Sequence, residues 1–223
     1  MSEEDLNRSL VSPRDRFGNR VRKNLSAATM QERVVASDTR ALADTYARLD
    51  ESGAAQQAAA VVLGARRRFI AGEGKSAAYA LLLATDLSAT LSNIHLIEGR
   101  ALTPIVALTD VRETDVLIVF AMRRYSAEVI RLGRLFHEAG GQLICITDSE
   151  SAPLVDLANV VIIVDTGSAS YADSPTPVVA VAHLLSTLIS ASAKGARRRL
   201  TERDRLAQEL GLYEPDEEAL SEN

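Results

Sequence analysis

The apolar positions of this chain fall into short continuous runs separated by stretches with helical spacing. Five such runs are typical of strands buried on both faces of a sheet, which lack polar alternation: 68–71, 94–97, 116–120, 143–146 and 160–164. Between them, apolar residues recur every three to four positions over 76–90 and 126–139. Strands that alternate with helices predict an α/β fold: a three-layer α-β-α sandwich with a five-stranded parallel sheet, similar to flavodoxin or Rossmann domains.

The flanks of this pattern predict the remaining organisation. Residues 29–63 predict two helices separated by the turn signal Glu51-Ser-Gly53, and 176 to about 210 predict one long helix. Residues 1–30 are polar, with a basic stretch from Pro13 to Lys23, and predict a flexible arm. The last residues are acidic. The predicted division is an arm over 1–30, a domain over 31–210 with its core at about 65–200, and an acidic tail over 211–223.

Composition narrows the class of protein. With 223 residues, 47% hydrophobic and 25% charged, the chain is expected to fold as one domain. No apolar run approaches the roughly 18 residues of a membrane helix, and a net charge of -5 argues against coating nucleic acid. The single cysteine, Cys145, excludes an intrachain disulfide and a cysteine-based metal site. The acidic start Met-Ser-Glu-Glu-Asp differs from a signal peptide, so we expect a cytoplasmic protein without metal or cofactor.

A glycine turn follows the first predicted strand and reads Gly72-Glu-Gly-Lys-Ser-Ala77. Glycines allow the backbone to approach a ligand, and the first N–H groups of a helix point at bound anions. A P-loop would need glycine where the chain has Phe69, so that motif is excluded. The turn fits the Gly-x-Gly-x-x-Ala pattern of dinucleotide sites, with Glu98 as the ribose-binding acid. A structural turn that binds nothing also remains open.

Polar loops also follow the third and fourth predicted strands. The third strand is followed by Arg123-Arg-Tyr-Ser126, and the fourth by Thr147-Asp-Ser-Glu-Ser151. Because the carboxyl ends of parallel strands meet at one edge, we expect these loops to converge. A guanidinium can hold an anion through two hydrogen bonds, and Ser126 can cap the next helix. Alternatively, the arginines are solvated or form salt bridges between subunits.

Two longer motifs, together with these loops, carry a family resemblance. Gly140-Gly-Gln-Leu-Ile-Cys-Ile-Thr-Asp-Ser149 and Ala152-Pro-Leu-Val-Asp-Leu-Ala-Asn-Val-Val161 resemble the sugar isomerase (SIS) domain over about 33–200. The Arg-Arg-Tyr-Ser-x-Glu loop resembles the sugar-phosphate-sensing domain of RpiR-type bacterial transcription regulators. The resemblance implies a homodimer or homotetramer that binds a phosphorylated sugar or related small anion. It implies these contacts to the ligand: Gly74, Lys75, Ser76, Arg123, Arg124, Tyr125 and Ser126, with Ser170 and Tyr171 in a segment that closes over the sugar.

The chain departs from the family pattern in two places. The usual phosphate loop Ser-x-Ser-Gly-x-Thr is here Ala121-Met-Arg-Arg-Tyr-Ser126, which keeps only the last hydroxyl. Arg123 can supply the missing attraction, or the ligand carries a carboxylate. RpiR-type regulators also have an N-terminal helix-turn-helix domain of roughly 75 residues, whereas about 30 precede the first predicted helix here. We therefore do not expect sequence-specific DNA binding.

Three functions remain after these comparisons of motifs. The first is a sensor or regulatory module that binds a phosphosugar. The second is a phosphosugar isomerase, which needs a base and a ring-opening group and has Glu73 or Glu128 with His183 as candidates. The third is a nicotinamide-dinucleotide-dependent enzyme built on the glycine turn and Glu98. His95 is expected to pack in the sheet, and His137 to lie on the surface.

Overall fold

Five parallel strands form one sheet in the order β2-β1-β3-β4-β5. The structure is a computed structural model that describes residues 26–98 and 102–213. Each strand begins and ends within one residue of its predicted bounds: β1 Arg67–Gly72, β2 Ile94–Ile97, β3 Asp115–Ala121, β4 Gln142–Thr147 and β5 Val160–Ile163. The predicted α/β sandwich with a five-stranded parallel sheet is therefore confirmed.

Helices cover both faces of the sheet. Within the described ranges they are α1 Ala27–Ser52, α2 Ala54–Gly64, α3 Lys75–Thr90, α4 Pro104–Leu108, α5 Ala127–Glu138, α6 Thr176–Ser192 and α7 Ala196–Glu209. Successive strand side chains point to opposite faces, so Ile70 and Ile118 pack with α2, α3 and α6, whereas Phe69 and Leu117 pack with α4 and α5. Both faces are buried, which explains why the strands have continuous apolar sequences.

The predicted long helix after β5 is wrong, because the chain breaks there into α6 and α7. Gly195 adopts a left-handed conformation with φ 81°, and the two helices are bent by 107°. The apolar α6 lies in the core, whereas no residue of α7 is buried. Two short helices were not predicted, α4 and a 3-10 turn over Val155–Leu157. Among the described residues, no single helix is long and apolar enough to span a membrane.

The structure describes only part of the predicted arm and tail at the two ends of the domain. Helix α1 begins at Ala27, capped by the Ser26 hydroxyl, which accepts a hydrogen bond from the Thr29 backbone N–H. The helix therefore begins four residues before the predicted start of the domain. The remainder of the arm and most of the acidic tail lie outside the described residues, so the division of the chain stays a prediction.

A buried ion-pair cluster closes the amino-terminal edge of the sheet. The Asp115 carboxylate lies 2.8 Å from Nη2 of both Arg66 and Arg67, and it also accepts a hydrogen bond from the backbone N–H of Arg112. Burial alone would raise the pKa of Asp115, but the hydrogen bonds from the two arginines hold it well below its usual range. This cluster joins β1 to β3 at the edge opposite the polar loops.

Candidate functional site

The strand order reverses between β1 and β3, and this point positions the candidate site. From β1 the chain moves outward to β2, and from β3 it moves in the other direction to β4 and β5. The register pairs Gly72 with Phe120, so the turns that follow the two strands lie side by side. In open parallel sheets such a reversal leaves a crevice at the carboxyl ends of the strands. The glycine turn and the arginine loop flank this crevice.

The glycine turn has a backbone that other residues could not adopt. A Cβ atom on Gly72 would overlap the carbonyl oxygen of Ser76 and lie 2.7 Å from its carbonyl carbon. Gly74 has φ 59° and ψ -123°, which favours glycine. The backbone N–H groups of Ser76 and Ala77 donate to the carbonyls of Glu73 and Gly74. These bonds bring the start of α3 to the crevice, with the Ser76 side chain nearly buried in its first turn.

Lys75 connects the glycine turn to the segment between β5 and α6 (residues 164–175). Its Nζ donates a hydrogen bond to the backbone carbonyl of Asp173 at 2.6 Å. The sequence placed Lys75 in the anion site, whereas here its ammonium group faces this carbonyl. Burial and, secondly, the charge of Asp173 raise the pKa of Tyr79 on α3 to about 12, so Tyr79 is a neutral phenol.

The segment over 164–175 carries Ser170 and Tyr171 and is tied to α1. The backbone N–H groups of Ala169 and Asp165 donate to the hydroxyls of Ser37 and Thr45, each at 3.0 Å. The Ser170 hydroxyl accepts a hydrogen bond from the Ala172 N–H at 3.4 Å, and the Tyr171 side chain is 53% exposed. The segment is therefore held between α1 and the glycine turn.

The loop after β3 is organised around a buried carboxylate that the sequence analysis did not single out. Asp148 follows β4, and its side chain is only 3% exposed. One carboxylate oxygen lies 3.4 Å from Nε of Arg123, and the other accepts a hydrogen bond from the Tyr125 hydroxyl at 3.1 Å. Burial raises the pKa of Asp148, and the charge of Arg123 opposes this effect. Burial and the charge of Asp148 in turn raise the pKa of Tyr125 to about 12.

The other residues of this loop have different environments. The Ser126 hydroxyl accepts a hydrogen bond from the backbone N–H of Val129 at 3.5 Å, so Ser126 is the N-cap of α5, as predicted. Arg124 is exposed. The loop thus presents a half-buried guanidinium, an exposed one and a capping hydroxyl beside the glycine turn.

The candidate acid and base groups of an isomerase are spread over three elements. Glu73 in the glycine turn, Glu128 in the first turn of α5 and His183 on α6 are all exposed. Within the described ranges, no hydrogen bond or ion pair joins their side chains. His95 packs against the Phe69 ring, with centroids 5.3 Å apart, and His137 is exposed, as predicted.

Few side chains among the described residues are candidates to bind a cofactor or a metal ion. Glu98, the residue assigned to a ribose in the dinucleotide hypothesis, follows β2 and is exposed. In the part of the chain that the structure describes, no three histidine, cysteine or acidic residues lie close enough together to hold a metal ion.

Comparison with known proteins establishes the family. The family model of the SIS domain matches residues 62–190. The chain belongs to the SIS domain family. No curated protein sequence matches it. Among solved structures, it is similar to the sugar isomerase domain of the RpiR transcription factor from Sphaerobacter thermophilus. The identity is 25% over 79% of this chain and 98% of that chain, with a TM-score of 0.72.

Two further solved structures share the fold of this SIS domain. The Vibrio vulnificus NanR protein complexed with ManNAc-6P is 18% identical over 79% of this chain and 68% of that chain, with a TM-score of 0.67. A hypothetical protein from Methanococcus jannaschii, whose structure infers a function as 3-hexulose-6-phosphate isomerase, is 16% identical over 75% of this chain and 89% of that chain, with a TM-score of 0.57. The resemblance of this SIS domain to RpiR-type domains, predicted from its motifs, is confirmed.

Proposed function

We propose that this SIS domain binds a phosphorylated sugar in the crevice between β1 and β3 and acts as a sensor or regulatory module. The observation that carries the proposal is the meeting of the glycine turn and the arginine loop at the reversal of strand order. The complex of a similar fold with ManNAc-6P supports a ligand of this class. A related small anion, such as a sugar acid, is the broader form of the same proposal.

Each proposed contact has a distinct role. The guanidinium groups of Arg123 and Arg124 attract the anion. Arg123 forms an ion pair with Asp148 through Nε, whereas its two Nη groups have no partner among the described residues and can bind the ligand. The hydroxyls of Ser76 and Ser126 and the backbone of Gly74 and Lys75 surround it. Tyr125 shapes the loop through Asp148. Ser170 and Tyr171, in the segment over 164–175, contact the sugar.

Thermal unfolding in the presence of ligands tests this function. A ligand at 100 times its Kd adds about 2.7 kcal/mol to the folded state. We expect a higher Tm with one member of a panel of hexose, pentose and amino-sugar phosphates, and no change with its unphosphorylated counterpart. Arg123→Ala should weaken binding about tenfold to a hundredfold, since a hydrogen bond to a charged group is worth about 1.5 to 3 kcal/mol. The control is Arg131→Ala, which removes an exposed arginine from α5.

Other outcomes would favour the alternatives. A stabilising effect limited to nicotinamide dinucleotides, with nucleotide preference set by Glu98, would replace the proposal. The function inferred for the Methanococcus jannaschii protein makes an isomerase the second candidate, and conversion of a bound phosphosugar that is abolished by His183→Ala would indicate it. No effect from any compound in the panel would favour a structural module whose glycine turn binds nothing.

We also propose that the domain self-associates, as a homodimer or homotetramer, and that it works in the cytoplasm. Helix α7 and its C-cap Leu210 support self-association, because Leu200, Leu206 and Leu210 are exposed and lie on one half of the helix circumference. It begins with arginines and ends with Glu209, so two antiparallel copies would match opposite charges. Light scattering should give a smaller mass for Leu206→Glu than for Gln208→Glu, which adds the same charge on the other side of α7. Equal masses would contradict this interface.

A further inference from the structure

A buried carboxylate lies beside the arginine to which the proposed function assigns the anion. The Asp148 side chain is 3% exposed, and one of its oxygens lies 3.4 Å from Nε of Arg123. Its other oxygen accepts a hydrogen bond from the Tyr125 hydroxyl. An anion that binds Arg123 through its Nη groups must therefore share one guanidinium with a carboxylate that has almost no contact with solvent.

Two negative groups on one partly buried cation repel each other. A carboxyl group next to another anion binds its proton more tightly, because protonation removes the repulsion. A protonated carboxyl group also gains an O–H donor, whereas an ionised one only accepts hydrogen bonds. Protonation of Asp148 thus removes a repulsive charge beside the ligand and leaves the hydrogen bond from Tyr125 in place.

We propose that Asp148 is a specificity-determining residue that couples anion binding to the uptake of one proton from solvent by its own carboxyl group. This inference rests on the proposed function. Affinity for the anion is highest when Asp148 is protonated and falls as the pH rises. Because the repulsion grows with the charge of the ligand, ionisation of Asp148 weakens the binding of phosphate esters more than the binding of sugar carboxylates.

Tyr125 and Cys145 keep their protons near neutral pH, which leaves the Asp148 carboxyl group to take up the proton. Among the described residues, the titratable groups that face Asp148 are Arg123 and Tyr125 from the loop after β3 and Cys145 from β4. Burial and the charge of Asp148 raise the pKa of Cys145, like that of Tyr125, to about 12. Burial raises the pKa of Asp148 itself, which brings its titration closer to neutral pH even without ligand.

The test uses inorganic sulfate, whose charge does not change between about pH 5.5 and about pH 8. A titration at constant ionic strength, followed by NMR through the amide signals of the loop over 123–126, gives a Kd at each pH. For the wild-type protein we expect the Kd to rise by about tenfold or more across this range, since coupling to one proton allows at most about tenfold per pH unit. Asp148→Asn keeps the shape of the side chain and should bind with a Kd that does not depend on pH.

Two further variants make the result specific. Glu150→Gln removes an exposed carboxylate from the loop after β4, which also carries Asp148. This carboxylate pairs with Arg48, and the variant should behave like the wild type. Tyr125→Phe removes the hydrogen bond that stabilises ionised Asp148, so the loss of affinity should begin at higher pH. If Asp148→Asn keeps the pH dependence of the wild type, or if the wild-type Kd is independent of pH, the coupling is refuted while anion binding stands. If sulfate shifts no amide signal of the loop over 123–126 in any variant, the proposed anion site fails as well.

Discussion

Gly72→Ala perturbs the point where the fold and the candidate site depend on the same backbone. The added Cβ would overlap the carbonyl oxygen of Ser76 and lie 3.2 Å from the backbone nitrogen of Ala77. These are backbone atoms of the first turn of α3, so no flexible side chain can move to relieve the clash. Either β1 or the start of α3 must shift. Steric overlap of this kind costs about 1 to 3 kcal/mol.

The expected size of the effect makes it measurable. For a domain of this length, 1 kcal/mol corresponds to roughly 2 to 4 °C in Tm, so Gly72→Ala should lower the Tm by about 2 to 12 °C. The matched control is Gly64→Ala at the end of α2, where a Cβ would meet no atom within 4 Å. That variant should be neutral or more stable by up to about 1 kcal/mol.

Calorimetry and the ligand panel together complete this test. Because the glycine turn also supplies the anion site, Gly72→Ala should lose the stabilisation by phosphosugar, whereas Gly64→Ala should keep it. Equal Tm values for the two variants would refute the close approach of β1 to α3. A destabilised Gly72→Ala that still binds the ligand with wild-type affinity would separate the turn from the site.

Three further predictions concern charged groups. Asp115→Asn should destabilise the domain by at most about 3 kcal/mol, because Arg66 and Arg67 would lose their carboxylate. The folded pKa of Asp115 is lowered, so the wild type should lose this stability below about pH 4, as urea denaturation at several pH values can show. The folded pKa of Asp148 is raised, so the wild type should lose stability as the pH rises and Asp148 ionises. Asp148→Asn does not ionise, so its stability relative to the wild type should be greater at pH 8 than at pH 4 by the same method. Lys75→Met should speed hydrogen exchange in the segment over 164–175 and change the global stability by about 1 kcal/mol or less.

The sheet could be predicted from the sequence because its strands are buried on both faces. Runs such as 116–120 have no polar alternation and so indicate both the strands and the parallel arrangement. The break before α7 was missed because Lys194-Gly195 lies between two stretches with helical spacing, and a glycine with positive φ is visible only in the backbone. The short α4 was missed since five residues carry too little periodicity.

The convergence of the loops at one edge of the sheet was predictable, but the contacts within them were not. Loops at the carboxyl ends of strands are expected to converge, and this placed Arg123 and Ser126 beside the glycine turn. The partners of the charged groups could not be predicted, because they are distant in sequence. Asp148 lies 25 residues from Arg123 in sequence, within a stretch of small polar residues that resembles an ordinary turn. The carbonyl that accepts a hydrogen bond from Lys75 is 98 residues away, and no spacing rule connects them.

The attachment of α1 to the segment over 164–175 has a mechanical consequence. Helix α1 is 26 residues long, and its buried residues Ala41, Thr45 and Leu49 all lie toward its C-terminal end. The segment is attached to it at Ser37 and Thr45. The part of the helix over 27–36 extends about 15 Å beyond this attachment. A tilt of about 5° at the attachment would move its first turn by about 1.3 Å over that length. A shift of the segment that tilted α1 by this amount would therefore displace the first turn of the helix, at a distance from the crevice.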